Sequence, residues 1–253
     1  ESGTLVLGYI FDGFVEVYTA NGRTMKTLKF FKELKPSYER TITCAIGLKT
    51  IAFLTSDVQL PKAILWKFSV DGTPVWQKEM SHRMGYELGM STDETTIVAG
   101  TYESSERSVH EAAMILDETG DVVSTLDFLF RKAAFSADSK SLALASRDEV
   151  LVRLDGAPGS QWRWKNPQSN SIVTAIVWLD SSLAIQTAEV SMNGGVNFSY
   201  VQPTFYLVSK AGRVLLEKTF GDVQYTTSSL RIEEGALNAV FDKKSPVKVF
   251  QLR

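Results

Sequence analysis

Apolar and polar residues alternate along this chain in short runs closed by Gly, Asp, Asn or Ser. Period-two alternation over such short runs predicts half-buried β-strands. One phrase recurs five times: an apolar strand, a turn ending in Gly, and a second strand. Its copies are Val15–Phe30, Ala63–Met80, Ala112–Phe128, Val150–Lys165 and Thr204–Phe220. The intervals hold two further strands each. They are Thr41–Leu48 with Thr50–Ser56, Gly85–Met90 with Thr95–Tyr102, Lys132–Ser136 with Ser141–Ser146, and Ile172–Leu179 with Ser182–Ala188. The repeating unit therefore has four strands, A to D. The first copy, Thr4–Ile10 with Val15–Phe30, lacks an A strand. The last, Ser229–Glu233, Ala236–Phe241 and Pro246–Leu252, lacks a D strand, so 22 strands are predicted in all. No segment of length reads as helix. Glu103–Ala113 comes nearest, but it is polar and Ser-rich and reads as loop.

The turns repeat as well. The C–D turns carry Gly22, Gly72, Gly120, Gly156 and Gly212, separated by 50, 48, 36 and 56 residues. Glycine supplies the positive φ that tight hairpins require. The A–B turns carry Asp93, Asp138 and Asp180 beside Ser or Thr, side chains that bond their own local backbone. Most of the variation in spacing falls in the B–C connections, which are long at Glu103–Glu111 and Glu189–Pro203.

A single four-stranded sheet cannot bury both of its faces, whereas a series of them can stack face on face. Four-stranded antiparallel units of this length with Gly-marked hairpins resemble the β-propeller repeat. Asp71-Gly72 with Trp76, and Asp155-Gly156 with Trp162, are similar to the pyrroloquinoline-quinone-type repeat, as is the turn Asp117–Gly120. Phe135–Asp138 and Met90–Asp93 resemble WD-repeat-like propellers instead. The resemblance implies an all-β fold: a single β-propeller domain over residues 1–253, with six four-stranded antiparallel blades. A five-blade ring with extra edge strands, or part of a larger propeller, are the alternatives. The quinone enzymes are larger and many use an adjacent Cys pair, which is absent here, so no quinone site and no cofactor is carried over.

Composition narrows the picture further. Of 253 residues, 44% are hydrophobic and 22% charged, with a net charge of -2. That balance provides no general attraction to nucleic acid or to an anionic membrane. No apolar run reaches the roughly 18–20 residues of a membrane helix. The lone Cys44, in an apolar run, excludes an internal disulfide and a Cys-rich metal cage, and reads as a buried small hydrophobe. The scarcity of Cys and the start at Glu1 favour an exported bacterial protein over a cytoplasmic one, or an excised domain.

Candidate chemistry is sparse. His82 follows a D strand and His110 lies in a long B–C connection, so the two share one end of the repeat. With Glu87, Glu103 or Glu111 they could hold a metal or act as a general base, yet no H-x-H or H-x-x-x-H spacing supports this. Asp93, Asp138 and Asp180 are spread by the repeat and read as turn caps rather than paired catalytic carboxylates. There is no phosphate-binding Gly loop, no G-x-S-x-G elbow and no EF-hand pattern. Trp66, Trp76, Trp162 and Trp178 read as packing between blades, with Trp164 kept as a surface anchor.

Long connections on a rigid scaffold are where function concentrates. All of them fall at the end shared by the B–C and D–A connections. That end offers Tyr38, His82, Arg83, Tyr102, Arg107, His110, Asn193, Phe198, Tyr200 and Tyr225. Tyr and Arg are enriched at binding hot spots. The sequence therefore predicts a non-catalytic scaffold that recognises a protein or peptide there, with a small-ligand or hydrolytic site near His82 and His110 as the alternative.

Overall fold

The structure is a computed structural model and describes residues 4–18, 23–31, 37–59, 62–104, 109–154, 160–193, 197–242 and 244–251. It contains 23 strands and, among the described residues, no helix. The chain divides into two compact units, Glu1–Arg131 and Lys132–Arg253. Among the described residues no helix is long and apolar enough to cross a membrane.

The first unit holds three antiparallel sheets. Sheet one joins β1 (Leu5–Tyr9), β2 (Phe14–Tyr18) and β3 (Thr24–Lys29). Sheet two joins β4 (Arg40–Ile46), β5 (Thr50–Asp57), β6 (Lys62–Ser69) and β7 (Pro74–Ser81). Sheet three joins β8 (Met84–Met90), β9 (Ile97–Ser104), β10 (Val109–Leu116) and β11 (Val122–Leu126).

The second unit repeats the plan. Sheet four joins β12 (Lys132–Phe135), β13 (Ser141–Ala145), β14 (Glu149–Leu154) and β15 (Gln161–Lys165). Sheet five joins β16 (Ser171–Leu179), β17 (Ser182–Asn193), β18 (Asn197–Ser209) and β19 (Val214–Thr219), and the short β20 (Gln224–Tyr225) pairs with β18. Sheet six joins β21 (Ser228–Glu233), β22 (Ala236–Phe241) and β23 (Val247–Gln251). The six sheets match the six expected blades, with the first lacking A and the last lacking D. The strand not foreseen is β20.

Burial follows position in the blade. The B strands β5 and β13 are buried almost throughout, and for β5 a neighbouring sheet of the same unit covers each face. The C strand β6 is buried on alternate residues over most of its length, while the D strand β19 is exposed along its whole length. Within each unit an apolar cluster fills the space between adjacent sheets. Val17, Phe53 and Phe68 lie between sheets one and two. Leu65, Leu88 and Ile97 lie between two and three. Trp164, Trp178 and Tyr206 lie between four and five. Phe205, Tyr225 and Phe241 lie between five and six.

Polar locks reinforce these seams. The Trp76 indole on β7 donates its N–H to the Glu118 carbonyl in the C–D turn of sheet three, at 2.8 Å. The Trp162 indole on β15 makes the same bond to the Lys210 carbonyl in sheet five, also at 2.8 Å. Each ring covers the glycine of the turn it caps. At Gly120 φ is +87° and a Cβ would come within 3.1 Å of Trp76. Trp76→Phe keeps the ring and deletes the donor, so it should cost about 1 kcal/mol. Gly120→Ala should cost about 1–2 kcal/mol through its left-handed backbone. Urea denaturation of both variants checks the pair, and a Gly120→Ala protein as stable as the parent would refute the lock.

Asp93 and Asp138 cap their turns, as their spacing implied. Asp93 accepts from the Ser91 hydroxyl and the Thr95 N–H. Asp138 accepts from the Ser136 hydroxyl and the Lys140 N–H. The Ser69 hydroxyl and the Thr73 N–H hold the Asp71 carboxyl down at about 2. Backbone N–H groups of Thr227 and Thr226 do the same for Asp242, also at about 2. Hydroxyl donors lower Asp117 and Asp138 in the same way. Depressed folded-state values mean that these bonds contribute fully above the unfolded carboxylate value of about 3.9 and are lost as the pH falls toward 2. Stability should therefore hold from neutral pH to about pH 5 and fall below about pH 4. The fall should be shallower in Asp242→Asn, as read by denaturation across a pH series.

Three expectations are corrected. Trp164 is no surface anchor: it is buried against Tyr206, with ring centroids 5.0 Å apart. Cys44 is exposed on β4, not buried. The B–C connections expected at Glu103–Glu111 and Glu189–Pro203 are strand over their described residues, while 105–108 and 194–196 lie outside the described residues. These strand portions are extensions of the β9–β10 and β17–β18 hairpins, because cross-strand pairing continues to Ser104↔Val109 and to Asn193↔Asn197.

Candidate interaction surfaces at the B–C and D–A ends

In the first unit, the B–C turn of sheet one presents Ile10 and Phe11 to solvent beside Tyr9. The turn is closed by Gly13 N–H bonds to the Tyr9 and Ile10 carbonyls. Tyr9 stacks on Phe14, 4.4 Å between centroids. Tyr38, from the following D–A connection, lies 4.5 Å from the Phe11 ring and is 89% exposed. This aromatic surface stands on a buried ion pair. Arg40 Nε bonds Asp57 Oδ2 at 2.7 Å with both side chains inaccessible, and the same guanidinium donates to the Phe11 carbonyl at 2.9 Å.

At the same end of sheet three, Arg83 is committed internally. It donates to the Thr101 hydroxyl at 2.7 Å and to the His110 carbonyl at 3.2 Å, with Glu103 at 3.9 Å. It fastens the β7–β8 connection to the β9–β10 hairpin and positions that hairpin. His110 pairs across the strands with Glu103, and Tyr102 pairs with Glu111. His82 is exposed and adopts a left-handed backbone, φ 59°, in the β7–β8 turn. Among the described residues no three His, Cys, Asp or Glu side chains are grouped to hold a metal. Arg107 lies outside the described residues, as does the side chain of Asn193.

In the second unit, the β17–β18 hairpin extends past its neighbours. The last pair with β16 is Ser171↔Glu189, so no described strand pairs with the outer edge of residues 190–193. Val190 faces Tyr200 and Met192 faces Phe198. The period of two puts all four on one side of the hairpin. Met192 is 68% exposed and Phe198 57%. Phe198 meets Tyr200 edge-on at 5.8 Å, and Tyr200 lies 5.4 Å from Tyr225.

Tyr225 is a correction. It is 1% exposed and cannot meet a partner. Its ring packs 4.8 Å from Phe241, and its hydroxyl accepts from Gln186 at 2.8 Å. Burial raises its phenol pKa, against the lowering effect of these hydrogen bonds. Its role is to anchor Tyr200, and through it the exposed tip, to the core. Sequence reasoning missed Val190, Met192 and Phe11. The alternation on either side of Asn193-Gly194 carried the signal for the first two, since Asn-Gly between alternating residues marks a hairpin.

No protein-family model matches this sequence, and no curated protein matches it. Solved structures do. A hydrazine synthase chain of Kuenenia stuttgartiensis matches with a TM-score of 0.61 at 11% identity, over 94% of this chain and 70% of that one. A chain of the mitotic checkpoint complex matches at 0.61 and 12% identity, over 99% and 74%. The C-terminal WD40 domain of Sif2 matches at 0.55 and 10%, over 95% and 76%. The fold is a β-propeller. At these identities the likeness concerns architecture alone; the propeller's six sheets supply the scaffold, and its blade ends supply the exposed surfaces.

Proposed function

We propose that the chain is a non-catalytic propeller scaffold, a single domain that captures a protein or peptide partner through the B–C and D–A ends of its blades. One observation carries the reading. Each unit spends apolar side chains at that end without covering them: Phe11 and Tyr38 in the first, Met192 and Phe198 in the second. Large exposed apolar surfaces on soluble folds mark interaction sites. Both are rigidly based, one on a buried ion pair and the other on a run of aromatic rings, so they cost little to order on binding. A WD40 domain and a member of a multiprotein complex among the similar structures accord with this reading.

The immobilised protein, exposed to a lysate of its source cells, is expected to retain a specific partner. A Phe11→Ser, Tyr38→Ser variant should lose it in whole or in part while its circular dichroism is unchanged. Retention of the same proteins by this variant and by the hairpin variant described below would overturn the proposal.

A further inference from the structure

At the B–C and D–A end of sheet six lies an open cavity of about 550 Å³. Its lining includes Thr227, Ser229 and Arg231, which the period of two sets on one side of β21 and the residue before it. Ser228 also borders the cavity, but its hydroxyl is engaged, accepting from Gln186 at 3.0 Å. Lys244, from the β22–β23 connection, contributes a second cation, while Val240 and Pro246 form an apolar wall.

Among the described residues no carboxylate lines this cavity. Two lie near it, and both are engaged. Asp242 accepts from the Thr226 and Thr227 N–H groups at 2.8 and 2.9 Å. Glu233 approaches Arg231 at 3.7 Å, but both side chains are about half exposed, and such a pair holds weakly. Among the described residues the Lys244 ammonium and the Ser229 hydroxyl have no hydrogen-bond or ion-pair partner.

We propose that this cavity binds a phosphoryl group. The Arg231 fork, the Lys244 ammonium and the Ser229 hydroxyl together offer more donors than the two oxygens of a carboxylate can accept, whereas a phosphoryl dianion presents three strong acceptor oxygens. The volume leaves room for the small molecule or the phosphorylated side chain that carries the group. The site stands independently of the hairpin surface.

Calorimetric titration of the full chain with inorganic phosphate, with acetate as the control, tests the assignment. Phosphate should bind at least about tenfold more tightly than acetate, and more weakly as salt is added. An Arg231→Gln, Lys244→Gln variant, confirmed as folded by its urea midpoint, should lose about tenfold or more. A Met192→Glu, Phe198→Glu variant should bind phosphate normally, which separates this site from partner capture. Absence of phosphate binding, binding no tighter than acetate, or binding unchanged in the Arg231–Lys244 variant would overturn the proposal. A phosphoserine peptide that binds more tightly than inorganic phosphate assigns the group to a protein side chain. Equal binding assigns it to a free phosphate or phosphoester, and either result upholds the site.

Discussion

Asp57→Ala is expected to lower the unfolding free energy by about 3–5 kcal/mol, the largest single effect foreseen for this chain. The pair it breaks is inaccessible on both sides, and the substitution removes the carboxylate that faces the buried Arg40 guanidinium at 2.7 Å. Removing one partner of a buried ion pair costs far more than the pair contributes. The double variant Arg40→Met, Asp57→Leu should therefore recover most of the loss, because both charges are removed together. Urea denaturation of the three proteins decides the matter. A loss below about 1 kcal/mol for Asp57→Ala would show that water reaches the pair. The damage should also spread to the Tyr9–Phe11 turn, whose carbonyl Arg40 holds.

The second large effect is functional. In Met192→Glu, Phe198→Glu, two carboxylates stand directly opposite each other on the hairpin tip. Both positions are well exposed, so stability should change by no more than about 0.5 kcal/mol. Affinity for the captured partner should fall by about thirtyfold or more, the loss of a hot spot worth about 2 kcal/mol. Binding within about threefold of the parent would remove the hairpin from the interface.

The strands and their order were legible because alternation and turn residues are local signals repeated many times over. The strand β20 was not, since Gln224–Tyr225 is too short to show a period and exists only through pairing with Tyr200 and Val201. The hairpin extensions were hidden by composition. Ser and Glu are weak strand formers, and there the cross-strand partner sets the conformation. Tyr225 misled for a related reason: it sits among Gln and Thr, and its burial comes from Phe241 and Gln186, distant in sequence. Arg83 lies at the B–C and D–A end, but its bonds to Thr101 and His110 were beyond what sequence spacing can state. Of the surface residues foreseen there, Tyr38, Phe198 and Tyr200 lie in the two exposed clusters.

The tryptophans that cap the C–D turns have one more consequence. Trp66 and Trp76 belong to the first unit, and Trp162, Trp164 and Trp178 to the second. Trp76 and Trp162 each straddle a boundary between two sheets, with the indole N–H bonded across it. When such a boundary opens, the ring passes from a hydrogen-bonded, partly apolar setting into water, and its emission shifts to the red. Both halves thus carry intrinsic fluorophores at a sheet boundary. Variants retaining only Trp76 or only Trp162 would let the loosening of either half be followed by light, without any added label.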